Sequence, residues 1–144
     1  MVTLYELLRM VHENQGSDLH LAVGMPPVIR IHGELTRVKA EPFTQEELSA
    51  MLSPIAPEEV WSAFEATGDA DFAYEAEGLA RYRVNVFRQR KGMGAALREV
   101  PTHVPTLDEL AMPDCLQQLA MLPRGLVLVT GPTGSGKSTT LAAM

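Results

Sequence analysis

The sequence lacks several features that would place it in a specialised class of protein. It contains a single cysteine, Cys115, so no disulfide can form within the chain, which favours a reducing, cytosolic setting. It has no apolar run close to the roughly 18 residues that span a bilayer. Its first 15 residues mix charged and apolar positions, a pattern typical of an amphipathic helix and not of a cleavable secretory signal. The composition therefore predicts an ordinary soluble, globular protein.

The chain is also poor in positive charge, except in one window. Its formal net charge of −6 argues against general nucleic-acid binding, because that function needs a basic surface. Residues 81–98 nevertheless hold six of the twelve Lys and Arg residues and no Asp or Glu. Such a window indicates a small anionic ligand or an acidic partner surface. The alternative is a solvated pair of strands whose cations face acids such as Asp69 and Asp71.

The apolar pattern of residues 1–100 predicts a small α+β domain. Two capping boxes, Thr3 with Glu6 and Thr44 with Glu47, mark helix starts, and a third helix follows Pro57. Alternating apolar residues predict strands, bounded by turn residues. The expected strands cover residues 17–23, 28–32, 35–38, 71–75, 79–88 and 94–100, and they form a mostly antiparallel sheet.

Residues 101–144 carry the signals of a linker and of the start of a second domain. A third capping box, Thr106 with Glu109, predicts a short helix that breaks near Pro113, and a second helical piece follows it. The run Leu126–Thr130 is apolar without alternation, as expected for a strand buried on both faces of a parallel sheet. We therefore assign 1–100 to the first domain, 101–123 to a linker with short helices, and 124–144 to the start of an α/β domain.

A phosphate-binding motif follows that apolar run. The pattern G-x-x-x-x-G-K-[ST], the Walker A motif or P-loop, is matched at every fixed position by Gly131, Pro132, Thr133, Gly134, Ser135, Gly136, Lys137 and Ser138. Glycines let successive backbone N–H groups converge on phosphate oxygens, and the helix that follows, with Thr139 in its first turn, presents its positive end to the same anion. Lys137 supplies a charge to the β- and γ-phosphates, and the Ser138 hydroxyl is placed to ligate magnesium. The motif predicts an ATP and Mg site.

Several separated motifs resemble one family. They are Ser17-Asp18-Leu19-His20-Leu21, Gly24-Met25-Pro26-Pro27-Val28-Ile29-Arg30, Arg81-Tyr82-Arg83-Val84-Asn85, and Arg124 to Thr130 running into the phosphate loop. In this order they resemble the PilT family of type IV pilus retraction ATPases, within the type II/IV secretion ATPase superfamily. The resemblance covers the whole chain.

That resemblance implies a PAS-like N-terminal domain followed by a RecA-like P-loop ATPase domain. It also implies a homo-hexameric motor that hydrolyses Mg-ATP to retract pili for twitching motility. Such a motor is cytoplasmic and peripheral at the inner membrane, where its partners are the pilus platform protein and, indirectly, the pilin filament.

Two arginines acquire a role from the resemblance alone. Members of the family place arginines of the N-terminal domain near the γ-phosphate, and Arg83 and Arg98 occupy the matching motif positions here. With Lys137 they form the predicted catalytic set, since a guanidinium suits a phosphoryl group in charge and shape. The alternative is that one or both arginines simply pair with carboxylates.

The family places its acidic magnesium-positioning strand, its general base and a later histidine motif beyond the phosphate loop. The resemblance therefore implies an N-terminal fragment that binds ATP without turning it over. Two alternatives stay open: a pilus assembly or type II secretion ATPase, and a non-catalytic oligomerisation module. A small-molecule kinase fits less well, because such kinases usually place the loop near the start of the chain.

Overall fold

The computed structural model describes residues 2–101, 103–132 and 134–144. The chain forms two compact units, Met1–Pro101 and Thr102–Met144, and each is described by itself. Within the described residues, no helix is both long enough and apolar enough to cross a membrane.

The first unit consists of helices packed on one sheet. Its elements in chain order are α1 (Leu4–Glu13), β1 (Gly16–Ala22), β2 (Val28–Ile31), β3 (Glu34–Arg37), α2 (Gln45–Leu52), a 3-10 turn (Ser53–Ile55), α3 (Glu58–Thr67), β4 (Asp69–Ala76), β5 (Ala80–Gln89) and β6 (Gly92–Val100). All six predicted strands are present, with boundaries shifted by one or two residues at most ends, and the predicted α+β class is confirmed.

The sheet is antiparallel throughout, in the order β3-β2-β1-β6-β5-β4. Two three-stranded meanders, β1–β3 and β4–β6, join where β1 pairs with β6. That junction places Asp18 of β1 opposite Arg98 of β6, and the next pairing places Arg83 of β5 opposite the same arginine. Because side chains alternate between the two faces of a strand, these three polar residues share the outer face.

The inner face of the sheet is covered by the helices. The α1 stripe of Leu4, Leu7, Leu8 and Val11 is buried, and it packs in one core with strand residues such as Leu97. The capping boxes predicted at Thr3 and Thr44 both form, each with its side-chain and backbone hydrogen bonds. Burial of the apolar stripe, at about 25 cal/mol per Å², holds these helices in place more than their intrinsic propensity does.

The second unit departs from the sequence-based expectation at its first predicted helix. The Thr106 capping box forms, with Glu109 N–H donating to Thr106 Oγ1 at 3.2 Å, but it opens only a turn. Ala111 adopts a left-handed conformation (φ 50°) two residues before Pro113. The chain therefore makes a single turn here and does not continue as a helix. The first helix of this unit is α4 (Cys115–Ala120), and α5 (Lys137–Ala143) follows the phosphate loop.

The predicted strand Leu126–Thr130 is the second departure. Residues 126–130 form no strand, and Leu126 and Leu128 are 82% and 75% exposed. A strand needs hydrogen-bonding neighbours, and in the described part of residues 102–144 there is no strand to supply them. The parallel sheet of a RecA-like domain is therefore not formed by these residues.

Candidate functional site

The phosphate loop has a backbone shape that only glycines adopt readily. Gly131, Gly134 and Gly136 all have positive φ, at 153°, 79° and 86°, in the region that other residues enter at a cost. A Cβ atom added at Gly131 would lie 2.8 Å from Ser135 Oγ. The motif fixes Gly131 and Gly136, and Gly134 at one of its variable positions has the same kind of glycine-favouring conformation. Thr133, another predicted ligand, lies outside the described residues.

The Lys137 side chain folds back onto the backbone of the phosphate loop. Its ammonium Nζ donates to the Pro132 carbonyl oxygen at 2.6 Å, and Ser135 N–H donates to the same oxygen at 3.3 Å. The lysine head therefore lies over the loop backbone, where the motif expects a polyphosphate. Binding of an anion there would exchange this carbonyl contact for a phosphate oxygen, which is a stronger partner for an ammonium group.

The start of α5 carries the predicted magnesium ligand. Gly136 caps the helix in a left-handed conformation, and Thr140 N–H and Oγ1 both donate back to Gly136 O, at 2.8 and 3.0 Å. Ser138 and Thr139 are exposed in the first turn. No group of three or more His, Cys, Asp or Glu side chains suited to a metal occurs in the described residues. The described loop offers a magnesium ion the Ser138 hydroxyl, which is the ligand that the motif assigns to it.

The predicted arginines come together on the outer face of the first unit. A shallow cavity of about 260 Å³ lies between β1, β4, β5 and β6. Its polar lining is Asp18, His20, Asp71, Arg83, Asn85 and Arg98. The sequence placed Arg83 and Arg98 on consecutive strands, and the register sets them directly opposite each other. We call these lining residues the arginine cluster.

Both arginines are held by carboxylates, as the alternative interpretation predicted. Arg83 Nε donates to both Asp71 oxygens, at 3.1 and 3.0 Å, and Arg98 Nε donates to Asp18 Oδ1 at 2.8 Å. The hydrogen bonds from Arg83 lower the pKa of Asp71 and raise the pKa of Arg83 itself. The Arg83 and Arg98 side chains are still 70% and 71% exposed, so their guanidinium groups remain accessible to a further anion.

Asp18 is the residue that sequence reasoning missed. It is the only buried charged residue in the part of the chain that the structure describes, at 4% exposed, and it joins two arginines. Its Oδ2 lies 3.2 Å from Arg30 Nε, while its Oδ1 accepts from Arg98. Burial raises its pKa, but the Ser17 hydroxyl and the Arg98 guanidinium outweigh that effect and leave the pKa below the ordinary value. The alternation in β1 puts Asp18 on the outer face, but only the strand registers show that Arg98 of β6 and Arg30 of β2 lie opposite it.

Substituting Asp18 is expected to destabilise the first unit. Asp18→Asn leaves two arginines beside a neutral group, so we expect a loss of about 1–3 kcal/mol in the free energy of unfolding at pH 7. Because the folded pKa is depressed, the carboxylate stabilises the fold above its unfolded pKa of about 3.9, and this is lost as the pH falls through the folded pKa. Urea unfolding at pH 7 and pH 3 measures both effects.

The matched control is Asp71→Asn, which removes an exposed partner of Arg83 and is expected to cost at most about 0.5 kcal/mol. The difference between wild type and Asp18→Asn should shrink at pH 3. Equal stability of the two variants at pH 7 would show that Asp18 is not a structural anchor.

Comparisons with known proteins give the family and the fold that this chain resembles. Residues 78–144 match the family model described as type II/IV secretion system protein. The type IV pilus retraction ATPase PilT of Pseudomonas aeruginosa is 45% identical over 139 residues, which are 96% of this chain and 40% of that protein. The chain therefore spans about two fifths of the length of this relative.

Two solved structures share the fold. A crystal structure of the pilus retraction motor PilT with bound ADP matches with a TM-score of 0.87 and 38% identity, over 100% of this chain and 42% of that one. The ATPase DotB of Legionella pneumophila matches with a TM-score of 0.77 and 28% identity, over 96% of this chain and 40% of that one. Both matches include the antiparallel sheet that carries the arginine cluster.

Proposed function

Because this chain belongs to the type II/IV secretion system protein family, we propose that it is part of a motor ATPase that uses Mg-ATP to retract type IV pili. The observation that carries the proposal is the phosphate loop. Its three positive-φ glycines, its lysine and the helix behind it make up the parts that polyphosphate binding requires. The retraction motor PilT, to which the chain is similar, was solved with ADP.

In this proposal, each part of the phosphate loop has its own role in binding Mg-ATP. The backbone amides from Gly134 to Lys137 hold the β-phosphate, and the Lys137 ammonium leaves Pro132 O for the phosphate oxygens. Ser138 ligates magnesium, which neutralises charge on the transferring phosphoryl group when it is bound. Gly131, Pro132, Thr133, Ser135 and Thr139 complete the nucleotide site.

The arginine cluster serves the same reaction in the proposal. Arg98 donates through Nε to Asp18, and in the described residues its two terminal amino groups have no hydrogen-bond partner. Arg83 uses Nε and Nη2 on Asp71. A carboxylate that holds one edge of a guanidinium orients the other edge, and a preorganised guanidinium stabilises phosphoryl charge at little reorganisation cost. Arg98 is accordingly the better placed of the two to bind the γ-phosphate.

The assembly we propose is a homo-hexamer at the cytoplasmic face of the inner membrane. There it acts on the pilus platform protein and, through it, on the pilin filament. The support is the similarity to PilT over 96% of this chain.

A pilus assembly or secretion ATPase is the second candidate, favoured by the family description. Deletion of the gene in its host separates the two. Loss of a retraction motor leaves pili on the cell surface without twitching motility, whereas loss of an assembly motor leaves no surface pili. Complementation with wild type and with Lys137→Ala shows whether the phosphate loop is needed for the phenotype.

The magnesium role of Ser138 gives a prediction of its own. In the full-length protein, Ser138→Ala removes one metal ligand and is expected to raise the magnesium concentration for half-maximal ATP turnover about tenfold, with a smaller change in metal-free ADP affinity. Ser62→Ala, which removes an exposed hydroxyl from α3, is the matched control. A magnesium dependence equal to that of wild type would remove Ser138 from the metal site.

A further inference from the structure

The end of β5 and the turn that follows it carry a second group of cations, outside the arginine cluster. Arg88, Arg90 and Lys91 lie within four residues and are exposed. Arg81, Arg83 and Arg98 in the same window each pair with a carboxylate. Arg88, Arg90 and Lys91 form no ion pair with any residue that the structure describes. In a chain of net charge −6, three neighbouring cations without carboxylate partners make a local positive field that favours an anion.

A cavity of about 310 Å³ adjoins this turn, near the lower size limit of small-molecule sites. Its lining residues combine two guanidinium groups, two side-chain amides and two apolar side chains: Arg88, Arg90, Gln45, Gln89, Phe64 and Met93. None of its lining residues in the described part of the chain carries a carboxylate. The lining therefore offers donors and positive charge with no competing negative charge.

Arg88 is fixed in place before any ligand arrives. Its guanidinium carbon lies 5.9 Å from the centroid of the Phe64 ring, and its Nη2 donates to Glu65 O at 3.2 Å. Its backbone N–H donates to Gly68 O at 2.6 Å. Stacking on an aromatic ring and a carbonyl contact remove much of the rotamer freedom that binding would otherwise cost.

Gln45, another lining residue of the cavity, is also held in place. Gln45 Oε1 accepts from Met93 N–H at 2.8 Å, which leaves the Gln45 amide NH₂ as a donor. Gly92 has φ 127°, and a Cβ atom there would lie 2.7 Å from that same Gln45 oxygen. The close approach of the Gly92 backbone thus restricts the Gln45 side chain, which lines the cavity.

We propose that this cavity binds the phosphate group of an anionic ligand, with Arg88 and Arg90 as the charged donors and Gln45 as the neutral donor. Guanidinium groups match phosphate in charge and in fork geometry. The phosphate could belong to a soluble phosphate compound or to a phospholipid headgroup, and Lys91 at the tip adds charge in either case. The site uses none of the phosphate-loop residues, and its existence does not depend on ATP turnover.

The test uses the full-length protein with Lys137→Ala, so that the phosphate loop contributes no signal. Trp61 is the single tryptophan of residues 1–144, and its ring centroid lies 5.2 Å from that of Phe64. With any tryptophan outside residues 1–144 replaced by phenylalanine, its fluorescence reports on the cavity. We expect a saturable change with inorganic pyrophosphate as the probe. Arg90→Gln should raise the apparent Kd at least about tenfold, as loss of a charge-assisted hydrogen bond implies. Arg81→Gln, the control, should change it less than twofold.

A second arm distinguishes the source of the phosphate. Sedimentation with vesicles of phosphatidylglycerol and phosphatidylcholine, against phosphatidylcholine alone, measures headgroup binding. Arg90-dependent binding to the anionic vesicles assigns a lipid headgroup, and Arg90-dependent binding of pyrophosphate alone assigns a soluble ligand. Because Arg90 is exposed, Arg90→Gln should keep the wild-type unfolding midpoint. Equal losses in Arg81→Gln and Arg90→Gln, or no Arg90-dependent binding in either arm, would overturn the proposal.

Discussion

In the full-length protein, Lys137→Ala is expected to lower kcat/KM for Mg-ATP by about 10² to 10³. The lysine is the one side-chain cation in the loop, and it lies over the backbone where the phosphates are expected, 2.6 Å from Pro132 O. A charge-assisted hydrogen bond is worth about 1.5–3 kcal/mol, and the lysine also stabilises charge that develops in the transition state. The two contributions together give the expected factor.

Lys39→Ala is the control for this experiment, because it removes an exposed lysine outside the loop. Its kcat/KM should stay within about twofold of the wild-type value. Both variants should unfold at the wild-type denaturant concentration, since neither side chain belongs to the core. A Lys137→Ala protein that keeps full activity would remove this lysine from catalysis.

Arg98→Lys is expected to lower kcat by about 10³ in the full-length protein while nucleotide affinity changes less than tenfold. Arginines that stabilise the transferring phosphoryl group contribute about 10³ to 10⁵ in rate. Lysine keeps the charge but loses the fork that lets Arg98 contact Asp18 and a phosphate at the same time. Single-turnover hydrolysis with separate measurement of ADP affinity distinguishes the two quantities.

Arg81→Lys is the matched control, because Arg81 is exposed on β5 and its one ion pair among the described residues is with Glu75, at 3.2 Å. Arg83→Lys should have an intermediate effect, because Asp71 already binds both Nε and Nη2 of Arg83. If Arg98→Lys and Arg81→Lys lowered kcat equally, the loss would come from general charge and not from a positioned guanidinium.

Much of the first unit could be predicted from sequence, because its signals are local. A capping box needs only residues three apart, so the starts of α1 and α2 at Thr3 and Thr44 were predictable. Alternation of apolar residues likewise predicted the strands and placed Arg83 on the outer face. Each of these features is decided by contacts within one element.

Features that depend on pairing between distant segments could not be predicted. The contact of Asp18 with Arg98 joins residues 80 positions apart, and it follows from the β1–β6 register that no local pattern specifies. The strand predicted at Leu126–Thr130 is absent for the same reason, since an apolar run forms a strand only beside another strand. At Thr106 even a local signal was not sufficient to predict a helix. Its capping box forms, but the left-handed Ala111 and Pro113 end the turn before a helix can form.

The phosphate loop lies between these two cases. Its residues were recognisable because the motif is a local backbone shape, and Gly131, Gly134 and Gly136 have the positive φ values that this shape needs. The contact of Lys137 with Pro132 O was not predicted, because it depends on how the loop folds back. The cavity lined by Arg88 and Arg90 was missed for a similar reason, since its lining residues Gln45 and Phe64 come from separate helices.

The most direct test of the account is a calorimetric titration of the full-length protein with ADP in the presence of magnesium. We predict saturable binding at one site per subunit, competed by ATP and weakened about 10- to 100-fold by Lys137→Ala. Absence of binding up to millimolar ADP in a folded protein with an intact loop would contradict the central claim that residues 131–138 hold a polyphosphate.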